Sequence, residues 1–154
     1  MAYVTSAQLQ TALGTDLFLR LFDDNADGTA DAAVVADTIA KAEARINGYC
    51  GGRYSISALA ASPPPDLLEI ATAICKQIAY LRKPEFSVEG KTPVEGEYRD
   101  AIGRLKDVQS GKYRLDVDGT PDTPQNVGGQ VVAFNENDTG TESASFFKNG
   151  MGDF

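Results

Sequence analysis

One stretch, Ala32 to Tyr54 (AAVVADTIAKAEARINGYCGGRY), limits the fold more than any other. Val35, Ile39, Ala42, Ile46 and Tyr49 recur at spacings of four, three, four and three, which puts them on one face of a helix. Asp37 and Lys41 stand four apart on the exposed side and can support each other. A single helix cannot bury its own apolar stripe, so the rest of the chain must supply helices that cover it.

Those helices are legible in order. Thr5 to Gln8 has capping-box spacing and opens a short helix through Leu9 and Leu13 that Gly14 stops. Thr15 or Asp16 restarts a second one through Leu17, Leu19, Leu21 and Phe22. Asp31 is a good N-cap for the long helix, and Gly51-Gly52 offers the positive-φ freedom of a C-cap. Ser55 to Ser62 reads as a loop, and Pro63 and Pro64 as an extended lead-in. Pro65 then starts a helix whose stripe is Leu67, Ile70, Ala71, Ile74, Cys75, Ile78 and Leu81; Pro84 forbids its continuation. Thr92-Pro93-Val94-Glu95 predicts another start, with Thr92 as N-cap, Pro93 at N1 and Glu95 at N3. Val94, Tyr98, Ile102, Leu105 and Val108 form that helix's buried face, and Gly111 ends it. Glu95 with Arg99, and Asp100 with Arg104, are spaced to pair on the outside.

The pattern changes at Lys112. Tyr113, Leu115 and Val117 alternate with Arg114, Asp116 and Asp118, as in a short strand. Gln130 to Phe134 and Ala144 to Phe147 read as two further short strands separated by breaker-rich segments. The expected fold is therefore mainly α: a small bundle of four to five helices over residues 1–111, with an extended C-terminal arm over 112–154 carrying short β segments. Such an arm buries little by itself and is either disordered or ordered by a partner.

Composition narrows the function. The 154 residues carry a net charge of −8, with 15 acidic and 11 basic side chains in residues 1–111 and 7 and 3 in residues 112–154. That balance argues against gripping duplex DNA, whose affinity comes from neutralised phosphates, but is compatible with enclosing it. Histidine is absent, which removes the commonest general base and metal ligand. Cys50 and Cys75 fall inside helices and read as buried reduced thiols. Without a histidine partner neither they nor the serines form a nucleophilic site, so no enzyme is expected. No apolar run approaches the ~20 residues of a membrane span, and no charged-then-apolar leader opens the chain. A soluble protein made in the cytosol, with no membrane association, is expected.

The loop before the long helix is the one candidate metal site. Asp23, Asn25, Asp27, Thr29 and Asp31 match the first ligand positions of an EF-hand loop, with Gly28 at the sharp turn. Position twelve, which should be a bidentate glutamate, is Val34. The same residue types also make turns and caps. A structural calcium ion is the only cofactor this spacing suggests, and a small calcium-binding regulatory or partner-binding module is the competing function. Arg45, Arg53, Arg82 and Lys83 lie near helix ends, where they suit either helix-terminal carbonyls or salt bridges across subunits.

Taken together, MAYVTSAQLQTALG, LFDDNADGTADAAVV, INGYCGGRY, PPPDLLEIATAICKQIAYLR and the capped helix ending in SGK resemble the head–tail adaptor (connector) proteins of tailed phages, especially the Mu-like type. The resemblance covers roughly residues 1–117. It implies a helical core assembled into a homo-oligomeric ring, usually of twelve copies, in the virion neck. The implied partners are the portal protein above and a tail-terminator or other neck or tail protein below, with DNA passing through the lumen without specific binding. The arm would then make the contacts between subunits or rings, anchored by Val131, Val132, Phe134, Phe146, Phe147 and Phe154, because aromatic and apolar anchors dominate interfaces. Strand addition to a neighbouring sheet is the expected mode for Val131 to Phe134.

Overall fold

In a computed structural model, described over residues 2–86 and 92–117, the chain forms six α-helices and one short 3-10 turn. They are α1 (Ser6–Leu13), α2 (Thr15–Phe22), α3 (Ala32–Cys50), α4 (Ile56–Ala61), α5 (Pro65–Arg82) and α6 (Glu95–Ser110), with the 3-10 turn at Pro84–Phe86 between the last two. The mainly helical fold expected from the sequence is the fold observed.

The centre is a three-helix packing. α3 lies against both α5 and α6, and α5 against α6, while α1 and α2 pack on each other and across α5. From α3, Val35, Thr38, Ala42, Ile46 and Cys50 are buried, with Ile39 and Tyr49 half-buried beside them. α5 is the most enclosed element, burying Leu67, Ile70, Ala71, Ala73, Ile74, Cys75, Gln77, Ala79 and Tyr80. Three of these, Ala71, Ala73 and Ala79, are small enough to let neighbouring helices pack closely. The stripe read from the sequence overruns the core by one turn: Leu81 is 65% exposed, while the core side of that end of α5 is taken by Tyr80.

Local signals decide the helix ends. At α1 the Thr5 amide donates to Gln8 Oε1 (2.8 Å) and the Gln8 amide to Thr5 Oγ1 (3.3 Å), the reciprocal pair of a capping box. Gly14 takes φ +80° and serves both as the end of α1 and the start of α2. Pro65 occupies the first position of α5, where a missing N–H costs nothing. Phe18 and Phe22 stack one turn apart in α2 with centroids 4.9 Å apart, both buried.

Four expectations are corrected. α3 ends at Cys50, at the paired glycines as expected, and the next residues form a turn in which the Arg53 and Tyr54 amides donate to the Cys50 carbonyl. Gly51 there is right-handed (φ −62°), so it supplies no positive φ; a Cβ on it would stand 2.9 Å from the Asn47 carbonyl oxygen. Residues 56–61, expected as loop, form α4, held by fully buried Leu59 and by Ile56 packed against the core. Six residues hold too few apolar positions for a period to show. α6 starts at Glu95 and not after Thr92; the Thr92 hydroxyl instead donates to Gln77 Oε1 (2.6 Å) in a buried polar pair between the lead-in and α5. Finally, residues 113–117 form no strand, and there is none among the described residues; of the alternating apolar positions Leu115 is buried between exposed Arg114 and Asp116, Val117 is half-buried and Tyr113 is exposed. The segments expected as strands at 130–134 and 144–147 lie outside the described residues.

Two substitutions test this packing. Ile74→Ala, at a fully buried site of α5, is expected to lower unfolding free energy by ~2–5 kcal/mol in urea titration. Thr92→Val should cost about 1–3 kcal/mol by stranding the Gln77 amide, although valine matches threonine in shape. A near-zero effect of Thr92→Val would place the pair outside the core.

Candidate functional site

The sequence offers the acidic loop first. Its side chains are spent on the loop's own amides. Asp23 accepts from the Asp27 amide through Oδ1 (3.2 Å) and from the Gly28 amide through Oδ2 (2.9 Å). Asp27 Oδ1 accepts from the Thr29 amide (2.8 Å) and hydroxyl (2.5 Å), and Asn25 Nδ2 donates to Asp27 Oδ2 (3.1 Å). Asp31 occupies the N-cap position of α3, but its carboxylate reaches back to the Asp24 amide (3.0 Å). These hydrogen bonds reverse the chain between α2 and α3, with Ala26 at φ +58° and Gly28 at φ +84°. The Thr29 hydroxyl and amide hold the Asp27 carboxyl below the usual 3.8, with Asn25 adding to them. Among the described residues, no three His, Cys, Asp or Glu side chains are grouped so as to hold a metal ion. The loop residues thus act here as turn formers.

The neighbouring residue Asp24 does a different job. Arg82 Nη2 (2.5 Å) and Lys83 Nζ (2.9 Å) both pair with it, and Arg82 Nη1 also donates to the Leu21 carbonyl (3.3 Å) near the end of α2. The Lys83 hydrogen bond, with Arg82, holds the Asp24 carboxyl below 3.8. The end of α5 is thereby tied to the α2–α3 loop. Arg20 adds a cation over the Phe86 ring (4.8 Å), which in turn meets Tyr80 edge-on. Arg45 donates to the Tyr98 hydroxyl (2.9 Å) between α3 and α6.

A second cluster gathers where three helix ends meet. Tyr54, buried after α3, accepts the Leu115 amide on its hydroxyl (3.0 Å). The Tyr113 hydroxyl donates to Asp66 in the first turn of α5, and this hydrogen bond raises the Tyr113 pKa. Gly111 caps α6 with φ +80°, and the Arg53 guanidinium lies against it. The C-terminal end of α6 carries partial negative charge, so a cation suits that place.

Two surface recesses lie on the described helices. A cleft of about 230 Å³ between α5 and α6 has Ile70, Ala73 and Ala101 at its base. Its rim carries acids, with Lys76 paired to Glu97 (3.1 Å) and Arg104 to Glu69 (3.2 Å) across the two helices. An apolar groove of about 410 Å³ runs between α1 and α5, lined by Ala7, Gln8, Thr11, Ala12, Leu68 and Thr72. Neither recess joins a nucleophile to a base.

The thiols are buried. Cys50 is pushed up to about 11 and Cys75 to about 12, mainly by burial, which disfavours the reactive thiolate. Tyr3, which the sequence reading passed over, belongs to the core; its hydroxyl donates to Asn47 Oδ1 (2.6 Å), its amide to Glu43, and burial pushes its pKa up to about 12. The proposed anchors Val131, Val132, Phe134, Phe146, Phe147 and Phe154 all lie outside the described residues. No helix among the described residues is long and apolar enough to cross a membrane.

Comparison with known proteins gives one family. The family model described as bacteriophage Mu, Gp36 matches residues 3–134, most of the chain and beyond the described helical core. No curated protein matches.

Two measurements test the loop. The contribution of depressed Asp24 is fully present above its unfolded value and lost as pH falls through its lower folded value. Asp24→Asn should therefore flatten the fall of melting temperature below about pH 4. Asp27→Ala should lower the melting temperature equally with and without added calcium. A loss seen only with calcium would make the loop an ion site.

Proposed function

The chain belongs to the bacteriophage Mu Gp36 family, and from that premise we propose that it is a structural protein of the phage neck. In this reading, copies of the helical core form a ring between the portal and the tail or tail terminator and extend the DNA channel. The family match over residues 3–134 is the observation that carries the proposal. The chemistry of the core supports it. The chain has no histidine, its thiols are buried, and Asp23, Asp27 and Asp31 serve the α2–α3 turn, so we propose a scaffold and not a catalyst.

Charge supports the same reading. A chain of net charge −8 repels phosphates, so a wall built of it lets duplex DNA slide instead of holding it. The partners proposed are further copies of this chain, the portal protein, and a tail-terminator or other neck protein. Residues 118–154 serve as the contact arm, with the apolar anchors named above. Weak contacts repeated around a ring multiply, so each arm needs only modest affinity. The described core has no strand edge, so strand addition by Val131 to Phe134 would use another arm or another protein as its template.

Truncation tests the proposal. A chain of residues 1–117 is expected to remain folded and helical by circular dichroism but to fail to join filled heads to tails in an extract lacking the protein. Full joining activity of the truncated chain would contradict the arm's role.

A further inference from the structure

The Gly51-Gly52-Arg53-Tyr54 turn does more than end α3. It meets the segment that follows α6. The Lys112 and Tyr113 amides both fold back on the Asp107 carbonyl (2.9 and 3.1 Å). The Arg53 guanidinium lies so close to Gly111 that a Cβ there would stand 2.1 Å from Nη1, and the φ of +80° independently disfavours any other residue. One turn of chain later, the Tyr113 hydroxyl is fixed on Asp66 and the Leu115 amide on the Tyr54 hydroxyl, with the Leu115 side chain only 5% exposed. The end of α3, the start of α5 and the end of α6 therefore hold residues 111–117 from three sides.

We infer that this corner is a socket that fixes where, and in which direction, residues 118–154 leave the core, with Arg53 and Tyr54 as positioning residues for the arm. The inference rests on the arm reading proposed above. The physical reason is reach. Val131 is 14 residues beyond Val117, so at ~3.3 Å per residue it reaches at most ~46 Å from a fixed root. Releasing the seven residues 111–117 would lengthen that tether by half, adding ~23 Å. A longer tether rooted in no fixed direction lowers the effective concentration of the arm at its target. Each bond in the socket is small for folding of the helices but acts directly on that geometry.

The test uses the full chain. Tyr54→Phe removes the hydroxyl and keeps the ring; Gly111→Ala displaces Arg53 by an independent route. In Tyr54→Phe, exchange of the Leu115 amide should speed up about five- to tenfold, the effect of losing one buried hydrogen bond, and in Gly111→Ala it should speed up as well. The melting temperature should fall by a few degrees in Tyr54→Phe and further in Gly111→Ala, whose backbone disfavours alanine, with the helices still folded, and head–tail joining should fall severalfold. Unchanged exchange at Leu115 in Tyr54→Phe would overturn the socket, and so would full joining activity once protection is lost. These results are separable from failure of the arm reading. If the chain of residues 1–117 joins heads to tails, the arm reading falls; if only Tyr54→Phe behaves as wild type, the arm stands and the socket does not.

Discussion

Everything in this molecule depends on α3 being covered by α5. α3 is 19 residues long and buries a stripe from Val35 to Cys50, and α5 buries nine side chains over 18. At roughly 1.5–3 kcal/mol for each fully buried large aliphatic side chain, this seam outweighs any polar contact on the surface. Its alanines draw the helices together, and the remaining elements close its flanks: α6 on one side, α1 and α2 on another, α4 and Tyr3 at the edges. The polar features sit at the ends of the seam. The Arg82–Lys83–Asp24 cluster closes one end of α5, and the Tyr113–Asp66 contact closes the other.

That arrangement explains which parts of the fold were legible in the sequence. Long elements with a 3.6-residue period were readable, because burial on one face imposes the period directly. Thr5 to Gln8 was readable because its capping bonds are local. Thr92 was misread because its hydroxyl had two uses. The local pattern fits a cap, but a buried Gln77 amide on another helix needs a partner, and satisfying it matters more than capping an exposed helix end. α4 was missed because its stability comes from Leu59 entering the core and not from its own six residues. Tyr54 read as part of the segment that leaves α3 through the paired glycines; its part in holding Leu115, 61 residues away, left no local trace.

The acidic loop shows the same limit from the other side. Its spacing suggests ligand positions, yet identical residue types at identical spacing also satisfy the amides of a tight reversal, as Asp23 and Asp27 do. Only the directions of the oxygens separate the two, and the sequence does not encode these by spacing. Among the described residues the loop therefore contributes a tight connection between α2 and α3, and its carboxylates add to the net charge of −8 carried by the full chain. The neck-ring function proposed above draws on that charge and on the family match.

Imaging the head–tail junction of the phage particle by cryo-electron microscopy tests this account most directly. The account predicts density for this six-helix core repeated around the DNA axis between portal and tail, with each copy's chain leaving beside the start of α5 toward a neighbour. A junction built without this core, or the protein missing from the mature particle, would contradict it.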